Sequence, residues 1–306
     1  MLHAEVFPEV IRRARRINVG EGHLLYIEER GAADGLPVLF LHGGPGSGCS
    51  SAQRQLFEGL RYRVIFVDQR GAGASLPQGD LLDNTTQHLI ADLETIREVL
   101  GIERWVVFGG SWGCVLGLAY AQCCPERVLG LVLRGIFLGS REEIAEYVRG
   151  FLAWEGAQAL GAAGQSWVDF VHCILFGETE QALLGARAWL DYEAHLMGEA
   201  PLAAVPDARQ WAKVRIQMHY LSQDCFLAPG RLLAGVPTIR HLPGVIVQGG
   251  QDPVCPPQHA QTLHRAWPEA VWMPVAEGGH GGLTPAIRQA TLAGLAWIAE
   301  VAEAMR

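Results

Sequence analysis

Residues 105–124 read WVVFGGSWGCVLGLAYAQCC, and this stretch decides the fold. Trp105–Gly109 is an apolar run of strand length, Cys114–Cys124 reads as a helix, and Gly109-Gly110-Ser111-Trp112-Gly113 lies between them. A G-x-S-x-G pentapeptide between a strand and a helix is a nucleophile elbow. Side chains at its glycine positions would collide, so the turn can be tight enough to lift the serine hydroxyl above the sheet. The helix N-terminus behind it favours developing negative charge. Ser111 is the candidate nucleophile.

Outward from the elbow, strands and helices alternate. Leu36–His42, Tyr62–Asp68 and Leu129–Arg134 are near-continuously apolar, as expected of strands covered by helices on both faces of a parallel sheet. Thr85–Leu100 has helical spacing, with Leu89, Leu93, Ile96 and Leu100 on one side. Gly244–Gly249 and Ala270–Val275 predict two more strands, and Thr284–Ala304 a closing helix. The fold class is therefore α/β, a mostly parallel sheet with helices on both faces and right-handed crossovers. The rhythm stops between Ser140 and Leu242, a stretch rich in Trp, Ala, Leu and Glu with no strand run. That predicts a core domain of residues 1–139 and 243–306, and an inserted helical cap of residues 140–242.

Two further segments complete a chemistry around Ser111. A serine hydroxyl needs a base to take its proton. Asp252 ends the strand in GVIVQGGQD, and His280 follows the next strand in EGGHG. Both fall at strand C-terminal ends, where α/β sheets place ligands, and the order Ser, Asp, His is that of the α/β-hydrolase fold. Alone, Asp252 before Pro253 reads as a turn former, and His280 as a surface loop residue. His42-Gly43-Gly44-Pro45-Gly46 follows the first core strand, and its glycines let backbone amides approach a substrate. The amides of Gly44 and Trp112 are the expected oxyanion hole, and Gly43 is a candidate substrate contact. A phosphate-binding loop is excluded, since no Lys-Ser/Thr follows and no G-x-G-x-x-G opens a helix.

Composition agrees with such an enzyme. The chain has 306 residues, 49% hydrophobic and 18% charged, and a formal net charge of −8, which disfavours a nucleic-acid partner. The basic run Arg12, Arg13, Arg15 and Arg16 stands among Glu5, Glu9 and Glu21, so a solvated N-terminal segment is expected rather than a targeting sequence. No stretch is apolar for the ~18–20 residues a bilayer requires. Seven cysteines without C-x-x-C spacing point to a reducing, cytoplasmic setting, with no metal and no cofactor. Cys114, in the first turn of the elbow helix, is expected to be a packed residue despite the helix N-terminus. Trp154, Trp167, Trp189 and Trp211 are expected in the core of the cap.

HGGPG, Asp68-Gln69-Arg70-Gly71-Ala72-Gly73-Ala74-Ser75, GGSWG and the late Asp252 and His280 together resemble the prolyl aminopeptidases, or proline iminopeptidases. The likeness extends to Asn84-Thr85-Thr86, VLRGIF at 132–137 and AWPEA at 266–270, almost the whole chain. It implies removal of an N-terminal proline by acyl transfer through Ser111, with His280 as general base and then acid, and Asp252 orienting it. Asp68 and Arg70 are expected to form a structural ion pair, since buried charges must be paired.

The cap departs from the family pattern. Family members bind the substrate's free amino terminus with cap glutamates, the first in a segment resembling RIENHYF; here residues 215–221 read RIQMHYL, with Gln217 in that place. A second glutamate follows a Phe-Leu pair; here Phe226-Leu227 leads to Ala228. Glu193, in an element with Trp189 and Tyr192, remains a candidate substrate contact, with Arg215 as its expected partner. Losing two carboxylates weakens the offset for a desolvated ammonium, which leaves open an esterase or amidase acting on a neutral acyl group. A receptor protein without catalysis is disfavoured by the complete Ser–Asp–His set. The expected partner is a small peptide, amide or ester substrate.

Overall fold

The computed structural model describes residues 10–57, 62–158, 166–177 and 180–304. In chain order its strands are β1 (Val10–Gly20), β2 (His23–Ala32), β3 (Leu36–Leu41), β4 (Tyr62–Val67), β5 (Trp105–Ser111), β6 (Val128–Ile136), β7 (Gly244–Gly249) and β8 (Val271–Val275). They form one sheet in the order β1-β2-β4-β3-β5-β6-β7-β8. From β4 onward neighbours are parallel; β1 and β2 join antiparallel at one edge.

Alternate residues of each central strand enter different layers. Val38 and Phe40 of β3 face one cluster with Val64, Phe66, Val106 and Phe108, while Leu39 and Leu41 face another with Ile65, Val67 and Val107. The first layer is closed by Leu56 and Phe57, which follow α1 (Ser51–Gln55), and by α11 (Pro285–Ala304), the second by α2 (Thr86–Val99) and α3 (Trp112–Cys123). Both faces are buried, so the strands read as apolar runs instead of alternating. Phe40, Phe57, Phe66 and Phe108 pack ring against ring at 5.2–5.8 Å, filling the first layer.

The β1–β2 hairpin is absent from the sequence reading; Arg12–Arg16 are exposed, as expected of a solvated segment, but they form a strand. Those arginines lie in an edge strand, where charge also discourages pairing with another chain. Two nearly buried carboxylates of β2 hold the ladder to its neighbours. Glu28 accepts from Arg30 and Arg54, both at 2.6 Å, and Glu29 from Arg15 at 2.8 Å and Arg63 at 2.6 Å. The hairpin is held in part by ion pairs between side chains of neighbouring strands, so apolar periodicity could not reveal it. Glu5 and Glu9 lie outside the described residues.

Between β6 and β7 the described chain adds only helices: α4 (Arg141–Ala153), α5 (Glu155–Ala157), α6 (Trp167–Phe176), α7 (Glu180–Leu196), α8 (Ala208–Leu221) and α9 (Arg231–Ala234). Their centre is aromatic: Phe151 and Trp189 meet each other, and each also meets Phe170 and Tyr192. Trp189 is fully buried, whereas Trp154, Trp167 and Trp211 are half-buried and packed against the core. α8 lies over the elbow. Tyr220 meets Trp112 with ring centroids 4.7 Å apart and donates to Asn84 Oδ1 at 2.9 Å. Helix α10 (Pro257–Ala266) completes the layer beside β6 and β7. Among the described residues no helix is long and apolar enough to cross a membrane.

Candidate active site

Ser111 ends β5 with φ 57° and ψ −123°, a conformation that L residues rarely adopt. Its neighbours explain how the turn closes. A methyl group on Gly109 would strike the carbonyl of Gly113, and one on Gly113 would strike the carbonyl of Leu41 in β3. Both outer glycines of the pentapeptide thus permit backbone contact, which is why α3 can start immediately behind the serine.

Asp252 and His280 come from the turns after β7 and β8. His280 Nδ1 lies 2.9 Å from Asp252 Oδ2 and 3.1 Å from Oδ1. Asp252 Oδ1 also accepts from the amides of Val254 and Cys255 at 2.9 and 2.7 Å. The turn-forming role and the histidine contact therefore coexist in one carboxylate. Burial opposes its ionisation, but the His280 hydrogen bond and charge, with the two amides, outweigh it and hold the carboxyl below its usual range. Room for the imidazole is left by Gly135, at φ 59°, where a Cβ would stand 3.3 Å from the ring. Arg134 donates to the carbonyl of His280 and anchors its loop.

The HGGPG loop faces the elbow. A Cβ on Gly43 would sit 3.4 Å from that of Ser111, and Gly44, at φ 116°, has the amides of Gly46 and Ser47 2.8 Å from where its Cβ would be. His42 is buried beneath the loop. Its Nδ1 lies 2.8 Å from the Gly43 carbonyl and its Nε2 accepts from the Gln69 amide at 3.1 Å, which assigns the proton to Nδ1. Burial keeps this ring's pKa below the ordinary histidine value. Gln69 Oε1 also receives the Trp112 indole N–H at 2.9 Å and its Nε2 donates to the His42 carbonyl at 3.2 Å, so one side chain braces both halves of the expected oxyanion hole. Sequence reasoning passed over Gln69 and also Gln248, whose amide reaches Asp252 Oδ2 at 3.4 Å and the Cys255 carbonyl at 2.9 Å. Their position inside the motif DQRG and strand GVIVQG was the available signal.

Ser111 and His280 open into one cavity of about 1040 Å³, lined also by Gly43, Gly44, Glu193 and Gln217. Three expectations are corrected here. Arg70 does not pair with Asp68: it grips Asp92 with two bonds of 2.7 Å, while Asp68 accepts the amides of Cys49 and Ala74. Glu193 pairs with Lys213, Nζ to Oε2 at 2.7 Å, rather than with Arg215. Positions two apart on a helix point to nearly opposite sides, so Lys213 and Gln217, four apart, share the face that Arg215 leaves. Ala228 is exposed beside a separate cavity of about 300 Å³ and does not line the Ser111 cavity.

Gln217 is the junction of the site. Its amide donates to Glu193 Oε1 at 2.6 Å and to the Gly44 carbonyl at 3.3 Å, and its Oε1 accepts from the Trp189 indole at 3.1 Å. Cys114 is fully buried, and burial pushes its thiol up to about 12. Native iodoacetamide labelling is therefore expected to modify exposed Cys123 and leave Cys114 unreacted, read by peptide mass mapping; a labelled Cys114 would refute the packing described here.

Residues 37–283 match the α/β hydrolase fold family, and fold and site together define a serine hydrolase of that class. A proline iminopeptidase of Arabidopsis thaliana is 42% identical over 287 residues, spanning 89% of this chain and 76% of the relative. That of Neisseria gonorrhoeae is 41% identical, over 90% of this chain and 92% of the relative. The chain belongs to the proline iminopeptidase family. Among solved structures, a proline iminopeptidase-related protein of Thermus thermophilus superposes with a TM-score of 0.59 at 24% identity, covering 95% of this chain and 99% of the other. A bromoperoxidase of Bacillus anthracis reaches 0.63 at 17% identity, over 94% and 100% of the two chains, a likeness of fold alone.

Proposed function

We propose that this serine hydrolase releases N-terminal proline from peptides through an acyl-enzyme on Ser111. With Nδ1 committed to Asp252, His280 has Nε2 available to take the Ser111 proton as Oγ attacks the prolyl carbonyl. The Asp252 carboxylate offsets the imidazolium that forms. The amides of Gly44 and Trp112 receive the oxyanion, each such donor typically contributing about 10²–10³ in rate. His280 then protonates the leaving amine; water, deprotonated by the same histidine, releases proline and restores Ser111. Residues 140–242 serve as a cap that closes this cavity, with α8 bearing Lys213 and Gln217. Seven free thiols suit a reducing, cytoplasmic setting.

The observation that carries the substrate assignment is the match of about nine-tenths of the chain to proline iminopeptidases at 41–42% identity. It favours a peptidase over an esterase or amidase with altered acyl choice, although Gln217 stands where a family glutamate is expected. Glu193 remains as a carboxylate in the cavity for the prolyl ammonium. Steady-state hydrolysis of proline p-nitroanilide beside p-nitrophenyl butyrate tests this. The expected result is a kcat/KM for the proline amide well above that for the ester; ester turnover with negligible proline release would overturn it.

A further inference from the structure

The chain has 24 lysine and arginine residues, and only one of them, Lys213, is lysine. That lysine lines the Ser111 cavity. Its Cα lies 3.2 Å from where a Cβ on Gly46 would stand, so α8 presses it against the HGGPG loop. Its ammonium holds Glu193 Oε2 at 2.7 Å while Gln217 holds Oε1 at 2.6 Å. The side chains of Lys213 and Glu193 keep 24% and 20% exposure, so the pair borders the open cavity and is not sealed behind it.

This arrangement changes what binding an amino terminus requires. Glu143, Glu146, Glu193 and Glu199 all line the cavity; Glu193, the one that Gln217 ties to the Gly44 carbonyl of the HGGPG loop, is already paired with a protein ammonium. A substrate that takes Glu193 displaces Lys213, and a displaced ammonium in a partly desolvated cavity is costly without a new partner. A substrate with a carboxylate at its other end supplies one, so two ion pairs replace one. Lysine suits such an exchange, being a point charge on a flexible four-carbon stem, whereas arginine's planar fork would lock onto Glu193. The other nearby cation, Arg134, already donates to the His280 carbonyl.

We propose that Lys213 is a specificity-determining residue that makes short zwitterionic peptides, prolyl dipeptides above all, the preferred substrates. Their ammonium takes Glu193, and their carboxylate takes the displaced Lys213. The proposal rests on the reading of the site as one that releases N-terminal proline. It is tested by comparing kcat/KM for Pro-Gly and Pro-Gly amide with the wild-type enzyme, Lys213→Met and Lys213→Arg.

The wild type is expected to favour the free acid by about tenfold, the ratio equivalent to ~1.4 kcal/mol. Lys213→Met should bring that ratio close to one, mainly through KM, and Lys213→Arg should restore part of it. Equal kcat/KM for the two peptides in the wild type, a comparison that needs no variant, would overturn the proposal and leave the peptidase reading standing. So would a preference for the acid that persists in Lys213→Met, which would assign the carboxylate to Arg134. Release of proline from neither peptide would overturn both readings.

Discussion

Replacing Ser111 by alanine is expected to lower kcat on proline p-nitroanilide by about 10⁴–10⁶-fold, leaving only what the oxyanion donors and binding supply. The backbone gives no reason for the fold to fail with it. Alanine at φ 57° is no more strained than serine there, and α3 starts behind the residue whatever its side chain. The experiment therefore pairs steady-state rates with a thermal unfolding curve. An unchanged Tm with activity lost assigns the loss to chemistry. Activity above about a hundredth of wild type would mean that another group attacks the carbonyl, because the remaining elements do not form a covalent intermediate. Asp252→Asn keeps an Oδ1 for the Val254 and Cys255 amides and replaces the Oδ2 that His280 and Gln248 meet, so it tests the histidine contact with the turn retained.

The largest expected effect on stability lies away from the cavity, at Arg70. Its side chain is 2% exposed and bound by both nitrogens of the fork to Asp92, equally buried, with Glu21 and the Asp83 carbonyl on the remaining nitrogen. Asp92→Ala removes the buried partner and leaves a guanidinium in the protein interior with only the half-exposed Glu21 to offset its charge. Such breakage typically costs about 3–5 kcal/mol. Denaturant unfolding of Asp92→Ala should show a lower midpoint with little change in slope. The double variant Arg70→Met, Asp92→Leu should recover much of the loss, because it removes a buried charge that the half-exposed Glu21 offsets only in part. A double variant as unstable as Asp92→Ala would show that packing, and not the bare charge, sets the cost. The same pair supports the site at one remove: the Arg70 carbonyl accepts from Asn84, which Tyr220 of α8 contacts.

The parts of this protein that could be read from its residues share one property: their chemistry is local or their burial complete. The elbow is legible because close backbone contacts allow only glycine at Gly109 and Gly113, and the central strands because both their faces are covered. Asp252 and His280 are legible because strand ends are where an α/β sheet opens to solvent. The β1–β2 hairpin escaped because it is held by charge pairs across strands, with Arg15 and Arg63 meeting at Glu29, and ion pairing leaves no hydrophobic period. Gln69 and Gln248 escaped because a glutamine's importance lies in what surrounds it.

The sequence by itself determined the class of sheet, and it named Ser111, His280, Asp252 and the HGGPG loop as the candidate nucleophile, base, acid and oxyanion loop, since each stands in a motif made by its neighbours along the chain. Only the tertiary structure decided who holds whom across it: Arg70 with Asp92 instead of Asp68, Glu193 with Lys213 instead of Arg215, and Ala228 outside the cavity. Pairing between distant side chains depends on helix phase and on how segments far apart in sequence come to rest, and a residue's identity does not specify which of several possible partners it will face.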